Sequence, residues 1–323
     1  MTADPHFMVA KRATESFGLP GETTLELLSH RENTVYRVAD QASGERFALR
    51  VHRPDYQTPE SIRSELQWME ALRDAGVETP EVVRGVDGRA VQTIPAPELG
   101  GSRHCDLFRW IEGAPPGGSD VAATFALLGE INARIHRQAA GWKRPDGFVR
   151  QRWNAEGMLG SERLWGHFED HTALTDEQLA LFARARESVL TQLARFGDAP
   201  DRFGLIHADL MPENILVHEG VPRVIDFDDC GFGWRLYDLA TLLAFDIGEP
   251  DFERRRDAWV EGYRSVEELP DSQLAELPTL IMARFLVGMG WLHTRRETEL
   301  AREYGAAIVA LACTHAERFL TTS

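Results

Sequence analysis

The apolar positions change their period along this chain, and the changes divide it. Residues 6–18 have helical spacing. Three short segments follow, 24–28, 35–38 and 47–51, whose β-branched and aromatic residues predict strands. The turn chemistry of 40–45 joins the second and third as a hairpin. Pro59 then opens a helical segment over 60–74, with Ile62, Leu66, Met69, Ala71 and Leu72 on one face. Strand-like runs return at 89–94 and 105–111. The pattern predicts an antiparallel sheet with one helix between its third and fourth strands.

Residues 113–119 are rich in Gly and Pro and read as a linker. Beyond them the spacing turns helical over 121–137, 176–196 and from Leu239 to the end, interrupted by a compact section at 206–226. The predicted fold class is therefore α+β. A small antiparallel β-rich lobe over 1–111 precedes a larger, mainly helical lobe over 112–323. The most apolar late stretch, 277–292, contains Arg284 and reads as too short to span a bilayer. Residues 1–20 lack the charged-then-apolar layout of a signal peptide.

Composition narrows the function. With 43% hydrophobic residues the 323-residue chain can bury a sizeable core. A net charge of −16 argues against a nucleic-acid binder, which needs a basic face. The basic residues are nearly all arginine, with lysine at Lys11 and Lys143 alone. Cys105, Cys230 and Cys313 are far apart and form no CxxC pair, which argues against structural zinc and suits a reducing compartment. The expectation is a cytoplasmic protein with no membrane or nucleic-acid partner.

The chemistry concentrates in His207-Ala208-Asp209-Leu210-Met211-Pro212-Glu213-Asn214, which has the H-x-D-x-x-x-x-N spacing of a kinase catalytic loop. Val224-Ile225-Asp226-Phe227-Asp228-Asp229 follows. Phosphoryl transfer needs an acceptor hydroxyl in line with the γ-phosphate, and Asp209 can accept its proton. It also needs Mg²⁺, for which Asn214 and Asp226 offer hard oxygen ligands. Residues 215–217 and 221–225 flank the turn His218-Glu219-Gly220, so a hairpin would return Asp226 to the side of Asn214.

These motifs, with the YDLA segment that follows them, resemble the aminoglycoside phosphotransferase and choline kinase family, which includes homoserine-kinase-like enzymes. The resemblance implies a protein-kinase-like bilobal fold. It also implies transfer of the γ-phosphate of ATP, with GTP equally compatible, to a hydroxyl of a small molecule of amino-alcohol, amino-acid or aminoglycoside type. Asp228 matches a second acidic metal position found in some members. His207 would shape the loop, Asp229 would be structural, and Asp238 would cap a helix or anchor a loop.

On the nucleotide side, Arg50 stands where the family usually has lysine. It would bind phosphate, oriented by Glu65 on the next helix. The loop His30-Arg31-Glu32-Asn33-Thr34-Val35-Tyr36 resembles the family's phosphate-covering turn, with Asn33 as a candidate contact. Arg109, Trp110 and Ile111 fall at the family's hinge, where backbone groups would recognise adenine. Residues 149–153 and Trp291, His293, Arg295 and Arg296 are candidates for the acceptor side.

Two rival readings remain at this point. A protein serine/threonine kinase would need a long activation loop, but eleven residues separate Asp226 from Asp238 and no DFG glycine is present. A pseudokinase is suggested by Arg50 and opposed by the intact Asp209, Asn214 and Asp226.

Overall fold

The computed structural model describes residues 4–19, 21–30, 33–117 and 120–322. Arg31 and Glu32 of the candidate phosphate loop lie outside the described residues, as do Gly118 and Ser119 of the linker. In chain order the first part holds α1 (Pro5–Ser16), β1 (Thr23–His30), β2 (Thr34–Asp40), β3 (Arg46–Val51), α2 (Pro59–Asp74), β4 (Val82–Val83), β5 (Gln92–Ala96) and β6 (Gly101–Arg109). Next come α3 (Val121–Gly141), β7 (Arg152–Trp153), α4 (Ala155–Leu159), α5 (Asp176–Phe196) and β8 (Phe203–Ile206). The last part holds β9 (Ile215–His218), β10 (Val221–Val224), β11 (Gly231–Trp234), α6 (Leu236–Leu243), α7 (Phe252–Arg264), α8 (Asp271–Leu274), α9 (Leu277–Thr294) and α10 (Glu299–Thr322).

Two compact units result, one rich in antiparallel strands and one mainly helical, as the spacing predicted. The first takes the chain up to Ala114, together with Arg144–Val149 and Leu216–Asp228. The expected border at 111/112 thus falls close to Ala114, but the helical part is not one continuous run of chain. The β9–β10 hairpin belongs mostly to the first unit because Val217 bridges Ala114 and the Val224 N–H donates to the Glu78 carbonyl.

In the first unit the strands form one sheet in the order β1-β2-β3-β6-β4, with β5 also on β6. Alternate residues of β2, β3 and β6, among them Val38, Leu49 and Leu107, are fully buried with Val9, Ala10 and Ala13 of α1. Asp4 and Pro5 start α1, and Thr58 and Pro59 start α2, each by a side-chain cap followed by proline. The fit to the expected strands is close but not complete. The run predicted over 105–111 starts at Gly101 and ends at Arg109, and β4 is too short to leave a periodic signal. The register between β3 and β6 sets Arg50 directly opposite Asp106.

In the second unit α3 and α7 cross at glycines. A Cβ on Gly129 would stand 2.0 Å from the Trp259 carbonyl oxygen, and one on Gly262 2.0 Å from that of Ala126. A small three-stranded sheet, β7-β11-β8, supports the start of the catalytic loop. Helix α9 packs against α5, α6 and α10. By length and composition, Asp271–Thr294 is long and apolar enough to cross a membrane, contrary to the expectation for 277–292. Of its apolar 18-residue window 67% is buried within the protein, as in a core helix. The three cysteines are free thiols.

The glycine crossing gives the first prediction. Gly262→Ala forces the α3 and α7 backbones apart and should destabilise the protein by about 1–3 kcal/mol. A lowered urea midpoint checks this, and an unchanged midpoint would show that the crossing tolerates a methyl group.

Candidate active site

In the first unit a buried charged cluster stands on the sheet. Arg50 donates through Nε to Asp106 Oδ1 (3.0 Å) and through Nη2 to Asp106 Oδ2 (2.6 Å) and Glu65 Oε1 (2.7 Å). Glu65 and Asp106 are wholly buried. Arg50 therefore meets Glu65 as expected, but it is no surface arginine, and its bidentate partner is Asp106. His52 Nε2 lies 3.0 Å from the same Asp106 oxygen and its Nδ1 lies 3.9 Å from Asp228. Burial alone would raise the Asp106 carboxyl. The charges of Arg50 and His52 outweigh it and hold that carboxyl far below the usual range. Burial likewise opposes the charge on Arg50, but Asp106 and Glu65 keep the guanidinium more firmly protonated than usual. Its Nη1 makes no hydrogen bond within the described residues.

The metal candidates of this unit follow β10. Asp226 is exposed and has a left-handed backbone (φ 62°), which a short polar side chain tolerates. Phe227 beneath it is buried edge-on against Trp68 of α2. Asp228 is buried, and its Oδ2 accepts from Asn33 Nδ2 (3.1 Å). The Asn33 carbonyl oxygen accepts from the Arg53 N–H (3.1 Å). Asn33 thus links Asp228 to the backbone at Arg53. At the expected hinge, the Arg109 N–H donates to the Glu81 carbonyl and the Trp110 N–H to the Arg46 carbonyl. Those two donors are committed to the sheet, so Ile111 is left as the N–H available to a ligand. The Arg109 side chain is exposed and pairs with Glu45 and Glu81. Trp110 is half-buried, with the Arg37 guanidinium 5.8 Å from its ring.

In the second unit β8 delivers the catalytic loop. His207 is buried and its Nδ1 accepts from the Asp209 N–H (3.3 Å), which is the loop-shaping part expected of it. Ala208 is left-handed (φ 67°), a shape that costs an alanine about 1–2 kcal/mol. Asp238 in the first turn of α6 compensates, accepting the N–H of Ala208 (2.6 Å) and of His207 (3.3 Å). The same carboxylate accepts from Asn132 Nδ2 (2.8 Å) and His136 Nε2 (3.0 Å), both on α3. Burial pushes His136 below its ordinary pKa, so it is a neutral imidazole that accepts at Nδ1 from the Tyr263 hydroxyl (3.0 Å). Asp238 is thus the loop anchor that the sequence suggested.

Asp209 itself keeps 31% of its side chain exposed. Asn214 Nδ2 donates to the Asp209 carbonyl (2.8 Å) and lies 3.4 Å from Asp209 Oδ2. The amide nitrogen is committed there, and the side-chain Oδ1 is a hard oxygen donor. Among the described residues no three His, Cys, Asp or Glu side chains gather into a metal site of their own. A hard cation bound by a few protein oxygens, water and substrate phosphates needs no such cage, and each unit offers hard oxygen donors of its own.

The acceptor-side candidates divide. Arg150 Nε donates to the Cys230 carbonyl, and Gln151 and Trp153 donate to the Asp229 carbonyl, so this segment braces the chain after Asp228. Arg295 lies over Trp165 and Trp291. His293 and Arg296 line a cavity of about 440 Å³ beside His171. Three site neighbours escaped the sequence reading: Asp106, His52 and Arg284, whose Nη2 lies 3.3 Å from Asp209 Oδ1. Asp106 and Arg284 left a signal, a charge inside an otherwise apolar strand or helix.

Comparison with known proteins agrees with this geometry. A solved microcompartment-associated aminopropanol kinase is 37% identical, with a TM-score of 0.88 over 98% of both chains. An amicoumacin kinase in complex with AMP-PNP and Ca²⁺ superposes with a TM-score of 0.79 at 24% identity, covering 98% of this chain and 93% of that one. Amicoumacin kinase of Bacillus subtilis is 24% identical over 83% of this chain and 80% of its own length. Homoserine kinase of Granulibacter bethesdensis is 27% identical over 80% and 81%. The fold is the protein-kinase-like one that the motifs implied. With residues 24–274 matching its family model, the chain belongs to the phosphotransferase enzyme family.

Proposed function

We propose that this protein transfers the γ-phosphate of ATP to an alcohol group of a small molecule, with an amino alcohol as the first class to test. The observation that carries this reading is Asp209, a partly exposed carboxylate on a loop whose backbone Asp238 locks. The similarity to an aminopropanol kinase supports the choice of acceptor class. The residues between Asp226 and Asp238 are occupied by β11, paired with β7 and β8. They leave no long segment of the kind that regulates protein kinases, and this favours a small acceptor.

In this reading Asp209 orients the acceptor hydroxyl and takes its proton. Arg50, held by Asp106 and Glu65, offers Nη1 to the phosphates. Asn214, Asp226 and Asp228 would hold Mg²⁺, which when bound neutralises phosphate charge. The Ile111 N–H is the donor for adenine. Positioning and fixed charges supply most of the rate. Free thiols suit a reducing compartment such as the cytoplasm, and the net negative charge suits an enzyme without a nucleic-acid partner.

The test is Mg²⁺- and ATP-dependent transfer across a panel of amino alcohols, homoserine and aminoglycosides. No transfer to any of them, despite ATP binding, would count against the reading. Asp209→Asn should lower kcat about 10²–10⁴-fold, the usual contribution of a general base, and leave ATP affinity nearly unchanged. Equal losses in both would remove Asp209 from the chemistry. Arg50→Lys keeps the charge but loses the two-pronged grip on Asp106. Losing a charged hydrogen bond costs about 1.5–3 kcal/mol, so KM for ATP should rise about tenfold or more. An unchanged KM would mean that a point charge suffices at this position.

A further inference from the structure

The arginine beside Asp209 is an expensive residue to keep where it is. Arg284 sits in α9 between Ala283 and Phe285, in a helix whose neighbouring positions are buried and apolar. It is only 8% exposed. Its guanidinium lies over the Trp165 ring, 4.7 Å from the centroid. It pairs with Asp209 Oδ1 at 3.3 Å, and the buried Tyr237 hydroxyl and Asp229 also act on its charge. A buried cation whose carboxylate partner lies at 3.3 Å and is partly exposed contributes little to stability, and an apolar side chain of similar volume would serve packing as well. The catalytic loop from His207 to Asn214 contains no lysine or arginine. Arg284 brings a cation to Asp209 from outside the loop, on α9.

We propose that Arg284 is a positioning residue for phosphoryl transfer: with Trp165 fixing the plane of its guanidinium, it holds the Asp209 carboxylate in the orientation that receives the acceptor proton. The proposal rests on the phosphotransferase reading and deepens it. Arg284 acts through Asp209, and its effect falls on turnover. Asn214 lies 3.4 Å from the other carboxylate oxygen, a longer contact than that of Arg284. A misplacement of about 1 Å at a reacting group can cost about 100-fold in rate.

The test compares Arg284→Met, Arg284→Lys, Asp209→Asn and the double variant Arg284→Met/Asp209→Asn in the full chain. Four readouts are kcat, KM for ATP, KM for the acceptor, and melting temperature. Arg284→Met should lower kcat about 100-fold, change either KM less than threefold, and leave the melting temperature equal or higher. Arg284→Lys should recover part of kcat. The double variant should be no slower than Asp209→Asn alone, because the two residues act as one unit. A lower melting temperature with kcat unchanged would make Arg284 structural and overturn the proposal. So would a rise in acceptor KM alone, or additive losses in the double variant. Wild-type protein that transfers no phosphate overturns the underlying reading, and this proposal with it. An active wild type with unaffected Arg284 variants overturns the proposal alone.

Discussion

The buried carboxylate of Asp238 holds the catalytic loop in a backbone shape that its own sequence disfavours. Ala208 is left-handed, and two consecutive N–H groups, those of His207 and Ala208, converge on one side chain of α6. That side chain is itself fixed by Asn132 and His136 of α3. A further layer on α7 orients them, with Trp259 Nε1 donating to Asn132 and the Tyr263 hydroxyl to His136. The glycine crossing of α3 and α7 lets these helices approach closely enough for this layer to form. Gly129 is one turn from Asn132, and Gly262 adjoins Tyr263. A stack of packing constraints thus ends at the peptide unit before Asp209, where it sets the direction of one carboxylate. This agrees with the general observation that local strain concentrates at functional sites and persists where the surroundings over-determine it.

The sequence was most informative where the chemistry is local. The spacing from His207 to Asn214 and the hairpin after it fix which residues can serve, because they depend on a few consecutive backbone conformations. The division into strand-rich and helical parts was legible for a similar reason, since period is a short-range property. Register is not. That Arg50 faces Asp106 follows from how β3 and β6 align, fifty-six residues apart, and no local pattern encodes it. Asn33 carries the same lesson: its side chain joins Arg53 and Asp228, and the second of these partners lies 195 residues away in the chain. In the sequence, the charge of Arg284 within an apolar run says only that the run is a poor membrane span. Its contact with Asp209 comes from the packing of α9 on α6.

The arginine at position 50 shows why a substitution read as conservative has consequences across the sheet. An ammonium is a compact charge that one glutamate can orient. A guanidinium is planar, carries five N–H donors and is not easily buried with several of them unpaired. Glu65 alone satisfies one of those directions. Asp106 takes two more from the neighbouring strand, and His52 in turn takes up one of its oxygens. Two carboxylates on one guanidinium would leave excess negative charge in a buried site. His52, set between Asp106 and Asp228, lies where that excess is greatest. The lysine-poor composition of the chain thus reaches into the site through a physical requirement: an arginine at this place needs an acidic partner opposite it on the next strand. Losing Asp106 would leave Arg50 to Glu65 alone, with two of its three buried hydrogen bonds gone. Arg50 and Asp106 are therefore best regarded as one structural unit, in which neither residue is buried without the other.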